Sequence, residues 1–393
     1  MEYKPLGSMV NRKIGYGIVQ PGQSVPDGVP VIKVNNLISG LKSPSELDTT
    51  ARENEAKYSR TRLHGGELIV SVVGTIGKTA IVPKSFAGCN LVRATALIDI
   101  EDELMSKWVK YYFDSPCGQS YIEQNLNTTV QPTLNIKSLV EMPIPIRDTT
   151  EMEKTVLLLS ALDEKIEVNR QINDNLEQQA HSYFQELFVD NASPEWTTGT
   201  ISDLGTVVGG STPSKAKPEY YTESGIAWIT PKDLSINKSK FISHGENDIT
   251  ELGLKNSSAA IMPEGTVLFS SRAPIGYIAI AAGEVTTNQG FKSVVPKPEI
   301  GTPFVYFFLK NTLPVIEGMA SGSTFKEVSG STMKNVPAVI PDAETLAKFS
   351  DFCAPIFAQQ RILEEQNQSL ATLRDNLLPK LMSGEIDVSA VQL

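Results

Sequence analysis

The chain has 393 residues, of which 40% are hydrophobic and 20% are charged, a balance that is typical of folded proteins and excludes a largely disordered one. Its length suggests roughly two to four domains. Its three cysteines (Cys89, Cys117 and Cys353) lack metal-binding spacing and favour a reducing cytosol. The amino terminus lacks a signal-peptide core, and the apolar stretch 155–162 is too short to cross a bilayer, so we expect a cytoplasmic protein with no membrane association.

The net charge of −10, if it were spread evenly, would argue against a nucleic-acid-binding protein. It is concentrated in two segments. Residues 150–190 contain nine acidic and three basic side chains, and residues 343–393 contain seven acidic and four basic ones. The remainder of the chain is therefore nearly neutral and can still carry a basic face, whereas the acidic segments favour a partner other than DNA.

The first half of the chain begins with about 145 residues in which short strands are predicted. ELIVSVVG (67–74) and TAIVP (79–83) are apolar runs bounded by glycine or proline, and KWVKYYFDS (107–115) has the pattern of an amphipathic helix. A polar stretch then predicts one long helix, which should end within VDNASPEW (189–196).

The second half repeats this order. SLVEMPIPIRD (138–148) matches TMKNVPAVIPD (332–342) at an offset of 194 residues. GELIVSVVGTIGKTAIV also matches GTVLFSSRAPIGYIAIA (265–281), and PVIKVNNL matches AWITPKDL (227–234). PFVYFFLKN (303–311) predicts a helix at the place of 107–115, and a second long helix closes the chain. These matches occur in the same order, which predicts a duplicated unit.

We therefore predict an α+β protein with two mixed α/β domains, residues 1–148 and 191–342, related by a pseudo-two-fold internal repeat. Each is followed by a long helix, within 149–190 and 343–393, and the two helices would pack antiparallel as a coiled-coil spacer. The alternative is that each helix lies along its own domain. Apolar residues at heptad-like spacing predict the seam between the helices: Leu162, Ile166, Leu176, Leu187, Ile356, Leu363, Leu370 and Leu377, with Leu373 and Leu381 alongside. Asparagines at Asn169, Asn173 and Asn367 would fix its register.

Five stretches resemble a known family. ALDEKIEVNRQINDNLEQQAHSYFQELFVD (161–190) and RDNLLPKLMSGEIDV (374–388) resemble the central and carboxy-terminal conserved regions of type I restriction-modification specificity subunits. GTIGK (74–78) and APIGY (273–277) are similar to a turn in the target recognition domains of that family. NTTVQPTLN (127–135) resembles the end of such a domain.

The resemblance implies a subunit that has no catalytic residues of its own. Each of two target recognition domains would read one half of a split double-stranded DNA target, and the helices would set the gap between the halves. Two modification subunits that methylate adenine, and restriction subunits that cut DNA, would be its partners. S-adenosylmethionine, ATP and Mg would belong to those partners and not to this chain.

Contacts to phosphates and base edges require mainly Lys, Arg and small polar side chains. The predicted DNA-binding residues are Lys57, Arg60, Arg62, Lys78, Arg93, Lys215, Lys232, Arg272 and Lys326. Further lysines near them are Lys217, Lys238 and Lys240. We favour Lys78 and Arg272, because both lie on the turn that recurs in each half. The alternative for each residue is an ordinary solvated charge.

Other motifs do not support an enzyme. GTIGKT (74–79) lacks the earlier glycine of a nucleotide-binding loop, because Val72 stands there. No Pro-Pro pair of an adenine methyltransferase motif is present in the sequence, and the nuclease-like letters of PDAETLAK (341–348) are better explained by Asp342 capping a helix. The three histidines form no metal-binding pair. Two alternatives stay open, an enzyme with an unrecognised site and a non-enzymatic coiled-coil adaptor that binds only proteins.

Overall fold

The computed structural model describes residues 2–41, 43–127, 131–322 and 326–388. The chain divides into two units, one made of Met1–Lys165 with Leu370–Leu393 and the other of Ile166–Ser369. Both divisions fall inside the two longest helices, so each unit contains a part of each of them.

The first unit contains two larger sheets and two two-stranded ones. Its strands are β1 (Glu2–Pro5), β2 (Arg12–Tyr16), β3 (Val29–Ile32), β4 (Thr49–Thr50), β5 (Leu68–Ser71), β6 (Thr79–Ile81), β7 (Asn90–Leu91), β8 (Thr95–Asp99), β9 (Leu126–Asn127), β10 (Thr133–Leu134) and β11 (Pro143–Ile146). Its helices are α1 (Val34–Ser39), α2 (Arg52–Glu55), α3 (Glu103–Asp114), α4 (Pro116–Gln124), α5 (Ile136–Glu141) and the first part of α6 (Thr149–Gln185). One larger sheet has the antiparallel order β2-β8-β5-β6, and the other has the order β4-β3-β7 with β3 and β7 parallel. The two-stranded sheets are β1–β11 and β9–β10.

The second unit has the same plan. Its strands are β12 (Thr197–Thr200), β13 (Gly205–Gly209), β14 (Tyr221–Thr222), β15 (Ile226–Ile229), β16 (Phe241–Ile242), β17 (Asn247–Ile249), β18 (Val267–Ser271), β19 (Ile275–Ala281), β20 (Thr286–Thr287), β21 (Lys292–Pro296) and β22 (Pro337–Ile340). Its helices are α7 (Ile201–Leu204), α8 (Pro231–Ile236), α9 (Glu251–Lys255), α10 (Thr302–Met319), α11 (Gly330–Lys334) and most of α12 (Ala343–Ser383). The sheets have the orders β13-β21-β18-β19-β16 and β14-β17-β15-β20.

The strand orders confirm the predicted duplication. β2-β8-β5-β6 corresponds to β13-β21-β18-β19, and β4-β3-β7 corresponds to β17-β15-β20, including the parallel pair that ends each smaller sheet. In both units an antiparallel pair, β1–β11 or β12–β22, stands directly before a long helix. The second unit adds β14 and β16 at sheet edges.

The core of the first unit is completed by both long helices. Met152 and Leu159 of α6 pack with Trp108 of α3 in one apolar cluster. Leu378 and Leu381 of α12 belong to the same cluster and are 5% and 2% exposed. Because these leucines stand more than 230 residues after Ile146, the end of the last strand of this unit, the first half of the sequence does not contain its whole core.

Polar contacts align the two helix segments of the first unit. Arg374 of α12 donates to Asp163 of α6 at 2.8 Å, and Arg147, just before α6, donates to the backbone oxygen of Met382 at 3.3 Å. Residues early in one helix therefore lie opposite residues late in the other, which confirms the predicted antiparallel pairing in this unit. Burial alone would raise the pKa of Asp163, but Lys110 and Arg374 hold it below its ordinary value.

An aromatic cluster joins the same two helices to α10 in the second unit. The ring of Phe184 in α6 lies 5.8 Å from that of Phe349 in α12 and 5.9 Å from that of Phe307 in α10. Further along, Asn169 of α6 donates to Asn367 of α12 at 2.9 Å. The direction is again antiparallel, and the amide pair lies in the seam as predicted.

The predicted seam residues differ in burial. Ile166, Ile356 and Leu363 are buried, whereas Leu162, Leu176, Leu187, Leu370 and Leu377 are half-buried. Leu373, which was expected to lie alongside the seam, is 47% exposed, more than any of these eight residues.

A buried ion pair fastens β16 to the helices of the second unit. Lys240 is 7% exposed, and its ammonium lies 2.5 Å from Glu177 and 2.7 Å from the amide oxygen of Gln360. Lys310 also lies 2.6 Å from Glu177. Burial would raise the pKa of Glu177, but the two lysines lower it to about 2.

We predict that Glu177→Gln lowers the free energy of unfolding by about 3–5 kcal/mol at neutral pH, because it leaves the buried Lys240 ammonium uncompensated. In the wild type this stabilisation is present above the ordinary carboxyl pKa of 4.5 and is lost as the pH falls towards about 2. Urea unfolding between pH 2 and 7 measures both effects. Glu251→Gln, on a side chain that is 82% exposed, is the matched control. An equal loss in the two variants would contradict the assignment.

Candidate nucleic-acid interface

The turn between β5 and β6 is built around the side chain of Ser71. Its hydroxyl donates to the backbone oxygen of Thr75 at 2.6 Å and accepts the N–H of Lys78 at 2.8 Å. Gly74 and Gly77 have φ values of 79° and 82°, in the left-handed region that favours glycine. The turn therefore has a fixed backbone, from which the exposed side chain of Lys78 extends.

The corresponding turn between β18 and β19 uses Ser270 in the same way. Its hydroxyl donates to the backbone oxygen of Pro274 at 2.8 Å and accepts the N–H of Tyr277 at 2.7 Å. Lys78 therefore corresponds to Tyr277 and not to Arg272, which lies at the start of the turn. We call these two segments, 71–78 and 270–277, the recurring turn.

A later segment of the chain pairs with the recurring turn in both units. Val73 is paired with Thr133, and Arg272 is paired with Glu327, in antiparallel bridges. Lys326 adjoins the second bridge and is exposed. Of the stretch NTTVQPTLN, residues 128–130 lie outside the described part of the chain.

A second loop approaches closely in each unit because glycine permits it. A Cβ on Gly17 would lie 2.2 Å from the backbone oxygen of Leu91, and one on Gly210 would lie 2.0 Å from that of Asn288. The loop after β2 therefore packs against the end of β7, and the loop after β13 packs against the residue that follows β20. Lys215 lies on the second of these loops and is exposed.

The predicted cations of the first unit fall into two groups. Lys57, Arg60, Lys78 and Arg93 are exposed, and within the described residues none of their side chains forms an ion pair. Arg62 instead lies 2.5 Å from Glu55, whose side chain is 3% exposed. Hydrogen bonds from Arg62 lower the pKa of Glu55 below its ordinary value although burial acts in the opposite direction, so this arginine has a structural partner.

In the second unit, Lys232 is exposed and lies 2.5 Å from Glu246 on the surface. Arg272 lies 3.5 Å from Glu327, and the same carboxylate lies 3.8 Å from Lys292. Lys292 was missed in the sequence, although it opens the strand that borders the recurring turn. The recurring turn, the segment at Glu327 and β21 thus bring Arg272, Lys292 and Lys326 into one region of the unit.

The interpretation of Lys240 as a surface lysine that contacts DNA is wrong. Its ammonium lies 3.8 Å from the centre of the Phe357 ring and is paired with Glu177. Lys238, two residues earlier, is exposed and lies 4.8 Å from the Tyr277 ring. One residue of this KSK stretch is therefore part of the core, and the other lies beside the recurring turn.

Among the described residues we find neither a metal-binding cluster nor a membrane-spanning helix. Within residues 2–41, 43–127, 131–322 and 326–388, no group of three His, Cys, Asp or Glu side chains could hold a metal ion. No helix in that part of the chain is both long and apolar enough to cross a membrane. Cys89 and Cys353 are buried, Cys117 is exposed, and all three are free thiols.

We predict that Gly210→Ala destabilises the second unit by about 1–3 kcal/mol, because its methyl group would overlap the backbone at Asn288. Gly283→Ala is the control, since a Cβ there meets no atom within 4 Å, and it should be neutral or stabilising by up to about 1 kcal/mol. Thermal unfolding of both variants measures the difference. Similar melting temperatures would show that the close approach at Gly210 is not required.

The family profile described as "Type I restriction modification DNA specificity domain" matches residues 2–178 and again residues 194–373. The chain is 40% identical over 191 residues to the type I restriction enzyme MjaIX specificity subunit of Methanocaldococcus jannaschii, covering 46% of this chain and 44% of that subunit. The matched part therefore spans less than half of that relative. The HindI specificity subunit of Haemophilus influenzae is 24% identical over 330 residues, with 65% of this chain and 71% of that subunit covered.

The crystal structure of the type I restriction-modification S subunit from M. genitalium shares the fold. The TM-score is 0.55 at 18% identity, with 96% of this chain and 95% of that chain covered. The family profile matches most of the sequence, once in each half of the duplication. The chain belongs to the family described as the type I restriction modification DNA specificity domain, which it contains twice.

Proposed function

We propose that this chain reads a bipartite DNA target for a type I restriction-modification complex. Residues 1–148 and 191–342 would be the two target recognition domains, and residues 149–190 and 343–393 would be the spacer helices. The observation that carries the proposal is the double match of the specificity profile to two units with the same strand order. Two copies of one recognition fold with different surface residues suit a target with two different halves.

The exposed cations supply the electrostatic part of the binding. Lys57, Arg60, Lys78 and Arg93 in the first domain, and Lys215 and Lys326 in the second, would contact phosphates or base edges. Since the excess negative charge of the chain lies in the helical segments, the domains themselves can approach DNA without strong repulsion. Binding should therefore weaken as the salt concentration rises.

The spacer helices would bind the modification subunits. They carry most of the negative charge, which disfavours DNA, and they also expose apolar side chains. Val168 and Ile172 of α6, both in the second unit, are 46% and 41% exposed, and their spacing of 4 residues places them on one face of the helix. Such apolar exposure supports a protein partner. S-adenosylmethionine, ATP and Mg would be bound by the modification and restriction subunits, in the cytoplasm.

Helix length would set the gap between the two half-sites. α6 has 37 residues and α12 has 41, which corresponds to about 55–60 Å of helix. Half-sites on one face of DNA lie about 34 Å apart for each helical turn. The helices are thus long enough to act as the spacer between two recognition domains.

Co-purification with a cognate modification subunit, followed by DNA-binding titrations at several salt concentrations, tests the proposal. A stable complex with salt-dependent affinity for duplex DNA is expected. The protein-only adaptor predicts a complex without that affinity. Failure to form any complex would contradict the partner assignment.

We predict that adding one heptad to both helices, between Lys165 and Ile166 and between Ser369 and Leu370, lengthens the gap in the target by about 3 base pairs. Seven residues add about 10.5 Å of helix, and one turn of DNA of about 10 base pairs measures about 34 Å. The gap is determined from the methylated DNA motif, as the number of unspecified base pairs between its two specified halves. The half-site sequences should not change.

The matched control carries the same heptad in α6 alone, which puts its seam out of step with α12 and should destabilise the protein. An unchanged gap in the double insertion would rule out the spacer role.

We predict that Arg272→Ala weakens recognition of one half-site by about 1–3 kcal/mol and leaves the other unchanged. Arg272 adjoins the recurring turn of one domain only, and its side chain is 37% exposed. Competition between duplexes altered in one half-site at a time measures the effect. Lys255→Ala, on an exposed helix outside this region, is the control. Equal loss at both half-sites would refute the assignment.

A further inference from the structure

In each unit a short loop follows the parallel edge strand of the smaller sheet, and the two loops occupy equivalent positions. Val92 and Asn288 follow β7 and β20, and their N–H groups donate to the last residues of β3 and β15 at 3.1 and 3.0 Å. The next residues are Arg93 and Gln289, and both are exposed. Their equivalence comes from the hydrogen-bond pattern and not from sequence similarity.

The same position adjoins the recurring turn. The backbone oxygen of Ala94 accepts the N–H of Val72 at 2.8 Å, and the backbone oxygen of Gly290 accepts the N–H of Ser271 at 2.7 Å. Each connecting loop is therefore bonded on one side to the smaller sheet and on the other to the strand that enters the recurring turn. The exposed residue stands where the two sheets of its own unit meet.

Both loops hold their backbone by local hydrogen bonds. In the first unit, the hydroxyl of Thr95 donates to the backbone oxygen of Val92 at 2.8 Å. In the second, the side-chain oxygen of Asn288 accepts the N–H of Gly290 at 2.8 Å. A side chain presented from such a fixed backbone can discriminate between ligands by the geometry of its hydrogen bonds.

Two cationic side chains adjoin the loop that carries Gln289 in the second unit, Arg272 and Lys292, which lie 3.5 and 3.8 Å from Glu327. Lys292 donates to the backbone oxygen of Gln289 at 3.4 Å, and Arg272 follows the serine that is bonded to the same loop. Thr212 is hydrogen-bonded to the side chain of Gln289. Cations beside an exposed amide match the two needs of DNA recognition, because phosphate contacts position the protein and a neutral amide reads a base edge.

We propose that Arg93 and Gln289 are equivalent base-reading residues, one in each recognition domain. An arginine guanidinium donates two hydrogen bonds to O6 and N7 of guanine, whereas a glutamine amide pairs with N6 and N7 of adenine. The half-site read by the first domain would therefore contain a specified G·C pair, and the other half-site a specified A·T pair. This inference rests on the proposed function, since it requires both domains to bind DNA.

The test exchanges the two residue types, so that glutamine stands at position 93 or arginine at position 289. The full chain is expressed with its modification subunits as the wild type, Arg93→Gln or Gln289→Arg, and methylated adenines are mapped across the host genome. Arg93→Gln should reduce the preference for guanine at one position of one half-site by roughly 5- to 150-fold. Gln289→Arg should replace adenine by guanine at one position of the other half-site. In each variant the second half-site should be unchanged.

Lys137→Gln and Lys255→Gln are the controls, on side chains that are 82% and 73% exposed and lie outside the connecting loops. An unchanged motif in both exchange variants overturns the inference, as does a change in both half-sites at once. Loss of all methylation by an assembled variant complex also overturns it, because it would indicate general binding. A wild-type complex that methylates no split motif would contradict the proposed function itself, and the inference would fall with it.

Discussion

The packing of α6 and α12 inside each unit is the constraint on which the rest of the structure depends. Leu378 and Leu381, near the end of the chain, complete the core of a unit whose strands all lie between Glu2 and Ile146. Phe184, from the helix that follows the first domain, is fully enclosed in the core of the second unit. Neither half of the duplicated sequence therefore contains a complete core. Within each unit the two helix segments have to pair correctly for that unit to bury its apolar surface.

Polar groups on these helices decide how they pair. A carboxylate of α6 lies at the helix contact in each unit, Asp163 with Arg374 in the first and Glu177 with Lys240 in the second. Pairs of this kind, partly buried as Asp163 with Arg374 or largely buried as Glu177 with Lys240, add little net stability over apolar residues of the same size, but a displaced α6 would leave their charges unpaired, which is costly. The hydrogen bond of Asn169 to Asn367 also favours one register of the two helices, because a shifted register would break it. We infer that these residues specify one register, and so one spacer length.

Much of this architecture could be predicted from the sequence, because the relevant signals are local. Repeated strand and glycine patterns such as GTIGK and APIGY revealed the duplication, and heptad spacing around Ile356 and Leu363 indicated a helix pair. Lys240 could not be assigned, because its partner Glu177 lies 63 residues earlier and nothing nearby marks the lysine as buried. The role proposed for Gln289 could not be predicted from the sequence, because a single amide has no motif. Its equivalence to Arg93 in the other half would have singled out Gln289, but that equivalence is seen only in the backbone hydrogen bonds between the sheets.

The most direct test of the account is a genome-wide map of methylated adenines in cells that express this chain with its cognate modification subunits. The account predicts one split motif, with two short specified halves separated by a gap of fixed length. Methylation of a single uninterrupted motif, or at sites without a shared motif, would contradict the claim that two equivalent domains each read half of the target.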